Sequence, residues 1–159
     1  AANLAGDPKR GAYLARLSGC IACHTAPEAA ALSGGSPLTS RFGTFYPPNI
    51  TPDPETGIGA WTYAQFVAAV RQGVSPAGEP YYPAFPYEFY ASLTDQDLAD
   101  LWSAIQATPP NSVSGSSGSP CQDRMAMVSG VSPSWRWPAA AVSTVTTSTR
   151  LGSSGMPSE

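Results

Sequence analysis

The apolar positions near the start of the chain repeat with the period of an α-helix. In the segment DPKRGAYLARL, Asp7 is a suitable N-cap, and Pro8 suits the first helical turn, where its missing N–H costs nothing. The segment predicts a first helix that runs directly into the sequence CIACH, residues 20–24. The apolar face of this helix consists of Ala12, Leu14, Ala15 and Leu17.

Two later segments show the same period and carry their own start and stop signals. In WTYAQFVAAVRQG, Thr62 and Gln65 have the spacing of a capping box, and Gly73 is a C-terminal stop. In LTDQDLADLWSAIQATPP, Thr94 is the cap and the closing proline pair is the terminator. These patterns predict a second and a third helix.

The third helix begins with three acidic residues, Asp95, Asp97 and Asp100. Neighbouring carboxylates of this kind can form a paired-carboxylate site. Their position in the first turns of a helix favours solvated charges that interact well with the helix dipole, and we interpret them in that way.

Outside the helices the periodicity disappears. Residues 25–60 are dominated by Pro, Gly, Ser and Thr, and the aromatic residues of the run FGTFY favour an ordered loop, since they need a surface to pack on. No strand is expected. After residue 110 the chain becomes Ser-rich and has no clear period. We therefore expect one domain over residues 1–110 and an irregular extension over residues 111–159, part of it packed on the domain.

Composition excludes several classes of function. Charged residues make up 12% of the 159 residues, the net charge is −3, and Lys9 is the sole lysine, so no basic patch for nucleic acid can form. The apolar runs are shorter than the roughly 18 residues that suggest a membrane span. The sequence from Ala1 also lacks a signal-peptide pattern. We expect a mature periplasmic protein whose signal has been removed, in preference to a cytosolic one.

The sequence CIACH admits several interpretations. A zinc site needs about four ligands, and the chain supplies them only if Cys121 joins Cys20, Cys23 and His24. A thioredoxin-type dithiol needs its CxxC at the start of a helix that follows a strand. A chance occurrence is the third alternative, although cysteine is otherwise scarce.

A covalent haem explains every member of the CIACH spacing. Two thiols on one helical turn add to the two vinyl groups, and the adjacent histidine becomes an axial ligand of the iron. We therefore expect one c-type haem, attached through Cys20 and Cys23 and ligated by His24. Because His24 is the sole histidine, the sixth iron position is held by methionine, by something weaker, or by nothing.

The segments GAYLARLSGCIACHTAP and FGTFYPPNITPDPETGIGAWTYAQFVAAVRQG, with the following YYPAFPYEFYASLTDQDLADLW, carry a resemblance to a known family. Over about residues 11–110 the chain resembles the first haem domain of the c-type cytochrome subunits of periplasmic, membrane-associated alcohol, gluconate, aldehyde and N-heterocycle dehydrogenases. The run NITPDPETGIG is the most specific part of the match. The resemblance implies an all-α, class I cytochrome c-like fold, with three main helices around the haem.

The resemblance also bears on the sixth iron ligand. Many relatives read YPAMPY where this chain has Phe85 in YPAFPY, and phenylalanine cannot ligate iron. A second branch of the family carries YPAFPY together with a later methionine motif, which SPCQDRMAMVSG resembles. It implies Met127 as the sixth ligand, ahead of Met125 and then Met156. The alternative is an open iron shielded by Phe85.

Other residues are candidates for contact with the haem. A partly buried propionate needs hydrogen-bond donors. The candidate donors, each with ordinary packing as its alternative, are Arg41, Tyr46, Asn49 and Trp61. Asn49 is also expected to shape its loop around the haem edge. We expect the carbonyl group of Pro27 to accept the second N–H of the His24 ring.

These expectations indicate an electron-transfer protein with no substrate chemistry of its own. Its partners would be the large subunit of a periplasmic dehydrogenase and further cytochrome domains or the quinone pool. Association with the membrane would come only through partners or through segments missing from this sequence. The alternative is a haem protein with an open iron site, such as a peroxidase-like or gas-binding cytochrome.

Overall fold

The computed structural model describes residues 4–41 and 43–112. Within these ranges the architecture is helix-rich with one two-stranded sheet, and the first and last helices form the main helix pair. The elements in chain order are α1 (Pro8–Leu17), α2 (Cys20–His24), β1 (Leu38–Ser40), β2 (Gly43–Phe45), α3 (Tyr63–Gln72), α4 (Tyr87–Tyr90) and α5 (Asp95–Gln106).

Helix α1 begins as predicted but stops before CIACH. Asp7 caps it through its side chain, and Pro8 occupies the first turn. The helix ends at Leu17, and Gly19 then adopts a left-handed conformation with φ +82°, which glycine tolerates because it has no side chain. The expectation of one continuous helix is therefore wrong. Cys20 opens a separate short helix, whose direction is set at Gly19.

The buried face of α1 also differs from the predicted one. Ala15 is 2% exposed and Gly11 is buried, whereas Leu17 is 71% exposed. A side chain on Gly11 would place its Cβ 1.9 Å from the carbonyl oxygen of Asp100 in α5. The two helices therefore cross so closely at this point that only glycine fits, and Leu17 lies beyond the contact.

The caps of α3 and α5 are confirmed. Thr62 and Gln65 form both bonds of a capping box, and Gly73 ends α3 in a left-handed conformation with φ +65°. Thr94 forms the equivalent box with Asp97 at the start of α5. Each capping box satisfies backbone donors that the first turn leaves without helical partners.

The loop between α2 and α3 is ordered, as expected, but it contains a β-hairpin where no strand was predicted. Strands β1 and β2 pair antiparallel, with Leu38 opposite Phe45 and Ser40 opposite Gly43. Each strand has three residues, which is too short for a period of two to appear in the sequence. The four-residue helix α4 is likewise absent from the predicted set. The expected all-α class is therefore replaced by a helix-rich fold with a small sheet.

The acidic residues at the start of α5 differ in environment, which corrects their interpretation as solvated charges. The side chain of Asp95 is 73% exposed, whereas those of Asp97 and Asp100 are 14% and 1% exposed. Arg10 of α1 bonds both of the less exposed carboxylates, with N···O distances of 2.5 Å. Asp100 also accepts the backbone N–H of Asp7 at 2.8 Å. These carboxylates tie α1 to α5.

The hydrogen bonds of this cluster keep both carboxylates ionised. Burial raises the pKa of Asp100, but the bonds from the Asp7 N–H, Arg10 and Gln96 together outweigh burial, so the pKa is lowered. Hydrogen bonds from the side chain and backbone of Thr94, followed by the bond from Arg10, lower the pKa of Asp97 to about 2.

Apolar side chains from α1, α3, α5 and the long loop meet in one core. The most deeply buried apolar residues are Ala15, Leu32, Ile58, Phe66, Leu98, Leu101 and Ile105.

Among the described residues, no helix has both the length and the apolar character needed to cross a bilayer.

Candidate haem site

Helix α2 presents two thiols and an imidazole on a single turn. Residues separated by three and four positions lie on the same side of a helix, which brings Cys20, Cys23 and His24 together. Cys20 is partly buried, with its Sγ 3.4 Å from the Oγ of Ser18. Cys23 is exposed, and His24 is only 8% exposed.

The imidazole of His24 is oriented by a backbone carbonyl group. Its Nδ1 lies 2.8 Å from the carbonyl oxygen of Pro48. Because a carbonyl oxygen only accepts, Nδ1 carries the proton and Nε2 keeps a free lone pair, the form in which imidazole binds a metal. The expectation that Pro27 accepts this bond is wrong. Pro27 is exposed, and the long loop brings Pro48 to the ring instead.

Burial sets the protonation state of these groups. Burial lowers the pKa of His24, and the hydrogen bond to Pro48 offsets this only in part. Burial also raises the pKa of the Cys20 thiol, against a smaller opposing effect of the Ser18 hydroxyl. The site therefore holds a neutral imidazole beside a protonated thiol.

An apolar cavity, which we call the main cavity, opens beside α2. Cys20 and His24 form part of its wall, and the rest is almost entirely apolar. The long loop, α3 and α5 contribute Ile50, Ile58, Phe66, Val70, Leu101 and Ile105.

A second cavity lies on the side of the hairpin. It is lined by Cys23 and by aromatic residues that include Phe45 and Tyr82, whose rings stack with centroids 4.5 Å apart. The two cavities share four wall residues, so they adjoin each other. The shared residues are Cys20, His24, Phe85 and Tyr90.

Phe85 stands within a group of aromatic rings at the junction of the cavities. Its ring centroid lies 5.6 Å from that of Tyr90 and 6.1 Å from that of Tyr81, the latter in an edge-to-face arrangement. Tyr81 lines the main cavity, Tyr82 lines the second, and Phe85 lines both. The YPAFPY sequence therefore builds an aromatic wall that faces the same space as His24.

The structure separates the four residues that were considered as propionate donors. Trp61 lines the main cavity, and Tyr46 lines the second. Arg41 is exposed and lines neither cavity. Asn49 is 6% exposed and lines neither cavity, and it donates to the hydroxyl of Thr56 at 2.9 Å and to the carbonyl group of Asn111 at 2.7 Å. Both of its amide hydrogens are therefore used within the protein.

Three residues considered as the sixth iron ligand, Met125, Met127 and Met156, lie outside the described residues, as does Cys121. The described ranges contain no methionine and no histidine besides His24.

Tyr90 is a site residue that the sequence analysis missed. Its hydroxyl group donates to the carbonyl oxygen of Ser18 at 2.7 Å, which ties α4 to the turn before Cys20. Burial, with smaller contributions from Cys20 and Cys23, raises the pKa of Tyr90 to about 12. No local pattern could signal this contact, because the two partners are 72 positions apart.

The described residues do not assemble the other sites considered for CIACH. Residues 4–41 and 43–112 contain no group of three or more His, Cys, Asp or Glu side chains placed to hold a metal ion. Helix α2 follows α1 and the Gly19 turn, so its CxxC lacks the preceding strand of a thioredoxin-type dithiol.

Three relatives illustrate what the chain is similar to. A diheme cytochrome c-type protein of Cereibacter sphaeroides is 47% identical over 115 residues, which cover 69% of this chain and 39% of that protein. The cytochrome c subunit of a quinone-dependent alcohol dehydrogenase of Gluconobacter oxydans is 49% identical over 94 residues, 59% of this chain and 20% of the subunit. One of the subunits of a nicotinate dehydrogenase of Pseudomonas putida is 42% identical over 102 residues, 64% of this chain and 9% of that subunit.

The matches define a region and not a whole protein. No family model matches the chain, and the chain spans less than half the length of each of these relatives. A cytochrome subunit of a gluconate dehydrogenase and one of a fructose dehydrogenase also match, at 47% and 43% identity. Over the matched region, the chain is similar to c-type cytochromes and to the cytochrome subunits of dehydrogenases, and this similarity confirms the resemblance that its sequence predicted.

Proposed function

We propose that the chain carries one covalent c-type haem and transfers electrons through it. The observation that carries this proposal is the position of α2. Its turn places Cys20 and His24 in the wall of the apolar main cavity, and Pro48 leaves the Nε2 lone pair of His24 free to bind a metal. The residues therefore fit a haem joined by thioether bonds to Cys20 and Cys23, within a cytochrome c-like fold.

The haem supplies a one-electron couple, and the residues of the chain set its surroundings. The apolar side chains that line the main cavity would exclude water from the haem. The Pro48 carbonyl group holds the His24 imidazole in one orientation and increases its strength as a donor. Because electron transfer needs neither a proton nor a bound substrate at this site, we propose no catalytic residue.

For the sixth iron position we propose Met127, with Met125 and Met156 as the next candidates. Met127 lies sixteen positions after Asn111, and such a segment reaches up to about 55 Å when extended. A domain of about 100 residues has a radius of gyration of only about 13 Å, so the length of the chain permits the contact.

The propionate donors that we propose are Tyr46, Trp61 and Arg41. Tyr46 and Trp61 each line a cavity that would receive the haem. Arg41 is a positively charged residue between β1 and β2 of the hairpin. Asn49 is left out of this set, because both of its amide hydrogens already have acceptors.

The relatives support a place in a dehydrogenase complex. Their names describe cytochrome subunits of alcohol, gluconate and fructose dehydrogenases and a subunit of a nicotinate dehydrogenase. We propose that this chain accepts electrons from the large subunit of a periplasmic dehydrogenase and passes them to a further haem or to the quinone pool. The diheme relative is compatible with a second haem nearby.

The test is to produce the full chain in a periplasm equipped for haem c maturation and to record its spectra. We expect haem that stays attached after denaturation, and a reduced protein that binds carbon monoxide slowly because the sixth position is filled. The oxidised protein should show the weak far-red band of iron–thioether ligation, and this band should be lost in Met127→Leu. Rapid binding of carbon monoxide would instead indicate an open-site haem protein.

A further inference from the structure

We propose that Asn49 and Thr51 couple the position of Asn111, where the chain leaves the described domain, to the imidazole of His24. We call Asn49, Thr51 and the backbone of Asn111 the clasp. The inference rests on the proposed function, in which His24 is the axial ligand of the haem. The clasp adds positioning residues that touch neither the haem nor the iron.

The side chains of the clasp alternate along the chain with residues that line the main cavity. Pro48 and Ile50 line the main cavity. Asn49 and Thr51 line neither cavity, and they are 6% and 0% exposed. The segment therefore has one face toward the haem site and one face buried within the protein.

The buried face is filled by a closed set of hydrogen bonds. The Oδ1 of Asn49 accepts the N–H of Thr51 at 2.9 Å and its hydroxyl hydrogen at 2.7 Å. The amide group of Asn49 donates to the carbonyl oxygen of Asn111 at 2.7 Å. The N–H of Asn111 donates back to the hydroxyl oxygen of Thr51 at 3.2 Å. Two segments about 60 positions apart in the chain are thereby joined through buried polar groups.

The same segment carries the carbonyl group that orients His24. Pro48 is held on both sides, because Gly35 donates its N–H to the Pro47 carbonyl at 3.0 Å and Ile50 donates to the Leu32 carbonyl at 2.9 Å. Asn49 lies between these two bonds and adjoins Pro48 directly. A shift of Asn49 therefore moves the oxygen that accepts the Nδ1–H of His24, and the donor strength of the imidazole depends on that bond.

The contacts of Asn111 in the clasp run through its backbone N–H and C=O groups. Tension or motion at this point therefore reaches Asn49 and Thr51 irrespective of the side chain at position 111. A displacement of Asn111 can therefore change the reduction potential of the haem without any contact between Asn111 and the haem.

The experiment compares three threonine variants in the full haem-loaded chain. Thr51→Val removes the hydroxyl group of the clasp, Thr51→Ser keeps it, and Thr108→Val is a matched control. The hydroxyl group of Thr108 donates to the carbonyl oxygen of Ala104, in the last turn of α5, at 3.1 Å. In Thr51→Val we expect amide exchange at Asn111 to accelerate by about fivefold, as loss of one hydrogen bond predicts. The hyperfine-shifted His24 ring signals of the oxidised protein and the reduction potential should both move.

In Thr51→Ser and Thr108→Val, the exchange rate, the His24 signals and the potential should all stay at the wild-type values. Asn111→Pro is a second variant, which removes the N–H of the clasp and leaves Thr51 in place. It should move the His24 signals and the potential as Thr51→Val does. The proposal is overturned if Asn111 exchanges freely in the wild type, or if its exchange accelerates while the His24 signals and the potential stay fixed. Failure of the proposed function is a different result, namely that no covalent haem forms in the wild-type chain.

Discussion

Two parts of the site are built in different ways. The first, which we call the His24 wall, consists of His24 and Pro48 together with the clasp residues Asn49 and Thr51, which line neither cavity but hold Pro48 through hydrogen bonds. The second, the Phe85 wall, consists of Tyr81, Phe85 and Tyr90, whose rings pack at centroid distances of 5.6 to 6.1 Å. Hydrogen bonds are directional, whereas ring contacts tolerate shifts at small cost.

The difference between the two walls matters for a protein that would accept and release an electron without making or breaking bonds in a substrate. The His24 wall fixes one imidazole orientation and one tautomer, which an axial ligand requires. The Phe85 wall presents aromatic rings to the cavities. The site thus combines a wall that hydrogen bonds hold rigidly with a wall of ring contacts that can adjust.

The largest effect is expected from removal of both thiols of α2. The double substitution Cys20→Ala and Cys23→Ala should abolish covalent haem, because no thioether bond can then form. Haem staining of the denatured protein after electrophoresis measures this directly. Cys121→Ser is the matched control, since Cys121 is the third cysteine of the chain. It should retain full staining, and loss of staining in that variant would contradict the assignment of the attachment sites.

The next effect tests the Phe85 wall. Phe85→Ala should lower the free energy of unfolding by about 2–3 kcal/mol. Truncation of a fully buried phenylalanine to alanine typically costs about 3–5 kcal/mol, and Phe85 is only partly buried. The substitution should also speed the binding of carbon monoxide, since the opening of this wall admits small ligands. Denaturant unfolding and flash photolysis provide the two measurements.

Phe89→Ala is the control for Phe85→Ala. Phe89 lies on α4 and is 80% exposed, so its truncation should change stability by less than about 0.5 kcal/mol. Equal losses in the two variants would show that Phe85 does not pack as the structure places it.

The helix caps were predictable because their partners are close in the sequence. Thr62 and Gln65 satisfy each other within one turn, so the pattern carries all the information needed. The burial of Asp100 was not predictable in this way. Its partner Arg10 is 90 positions away, and the close crossing at Gly11 decides which residues of α1 and α5 meet.

The candidate site shows the same difference between contacts that are local in the sequence and contacts that form only in the fold. The CIACH spacing predicts which residues hold a haem, because all of them lie on one helical turn. The acceptor for His24 was assigned to Pro27, because Pro27 is near in sequence, but the fold supplies Pro48. The contact between Tyr90 and Ser18 was missed because it forms only when α4 returns to the start of α2.

A third prediction concerns the α1–α5 pair, which lies outside both walls. The pKa of Asp97 is lowered to about 2, so its stabilising effect is complete above the unfolded pKa of about 4 and is lost as the pH falls through about 2. After allowance for solvent screening, this amounts to about 1 kcal/mol. Asp97→Asn should lower stability by that amount at pH 7 and reduce its loss between pH 4 and pH 2, as measured by denaturant unfolding.

The haem spectrum and potential should not change in Asp97→Asn, since Asp97 contacts neither wall. Some acid sensitivity should remain, because Asp100 also has a lowered pKa. An altered spectrum would show that the helix pair and the site are not independent.

The smallest effect separates the two kinds of interaction within Tyr90 itself. Tyr90→Phe removes the hydrogen bond to Ser18 and keeps the ring beside Phe85, so it should cost about 0.5–1 kcal/mol, the net value of one such bond. Because the pKa of Tyr90 is raised to about 12, the hydroxyl group remains a donor throughout the neutral range, and the loss should be the same at pH 6 and pH 9. Tyr13→Phe, at a position 63% exposed, should cost nothing measurable. If Tyr90→Phe speeds carbon monoxide binding as much as Phe85→Ala does, the Phe85 wall depends on its single hydrogen bond and not on its rings, and the contrast between the two walls would be lost.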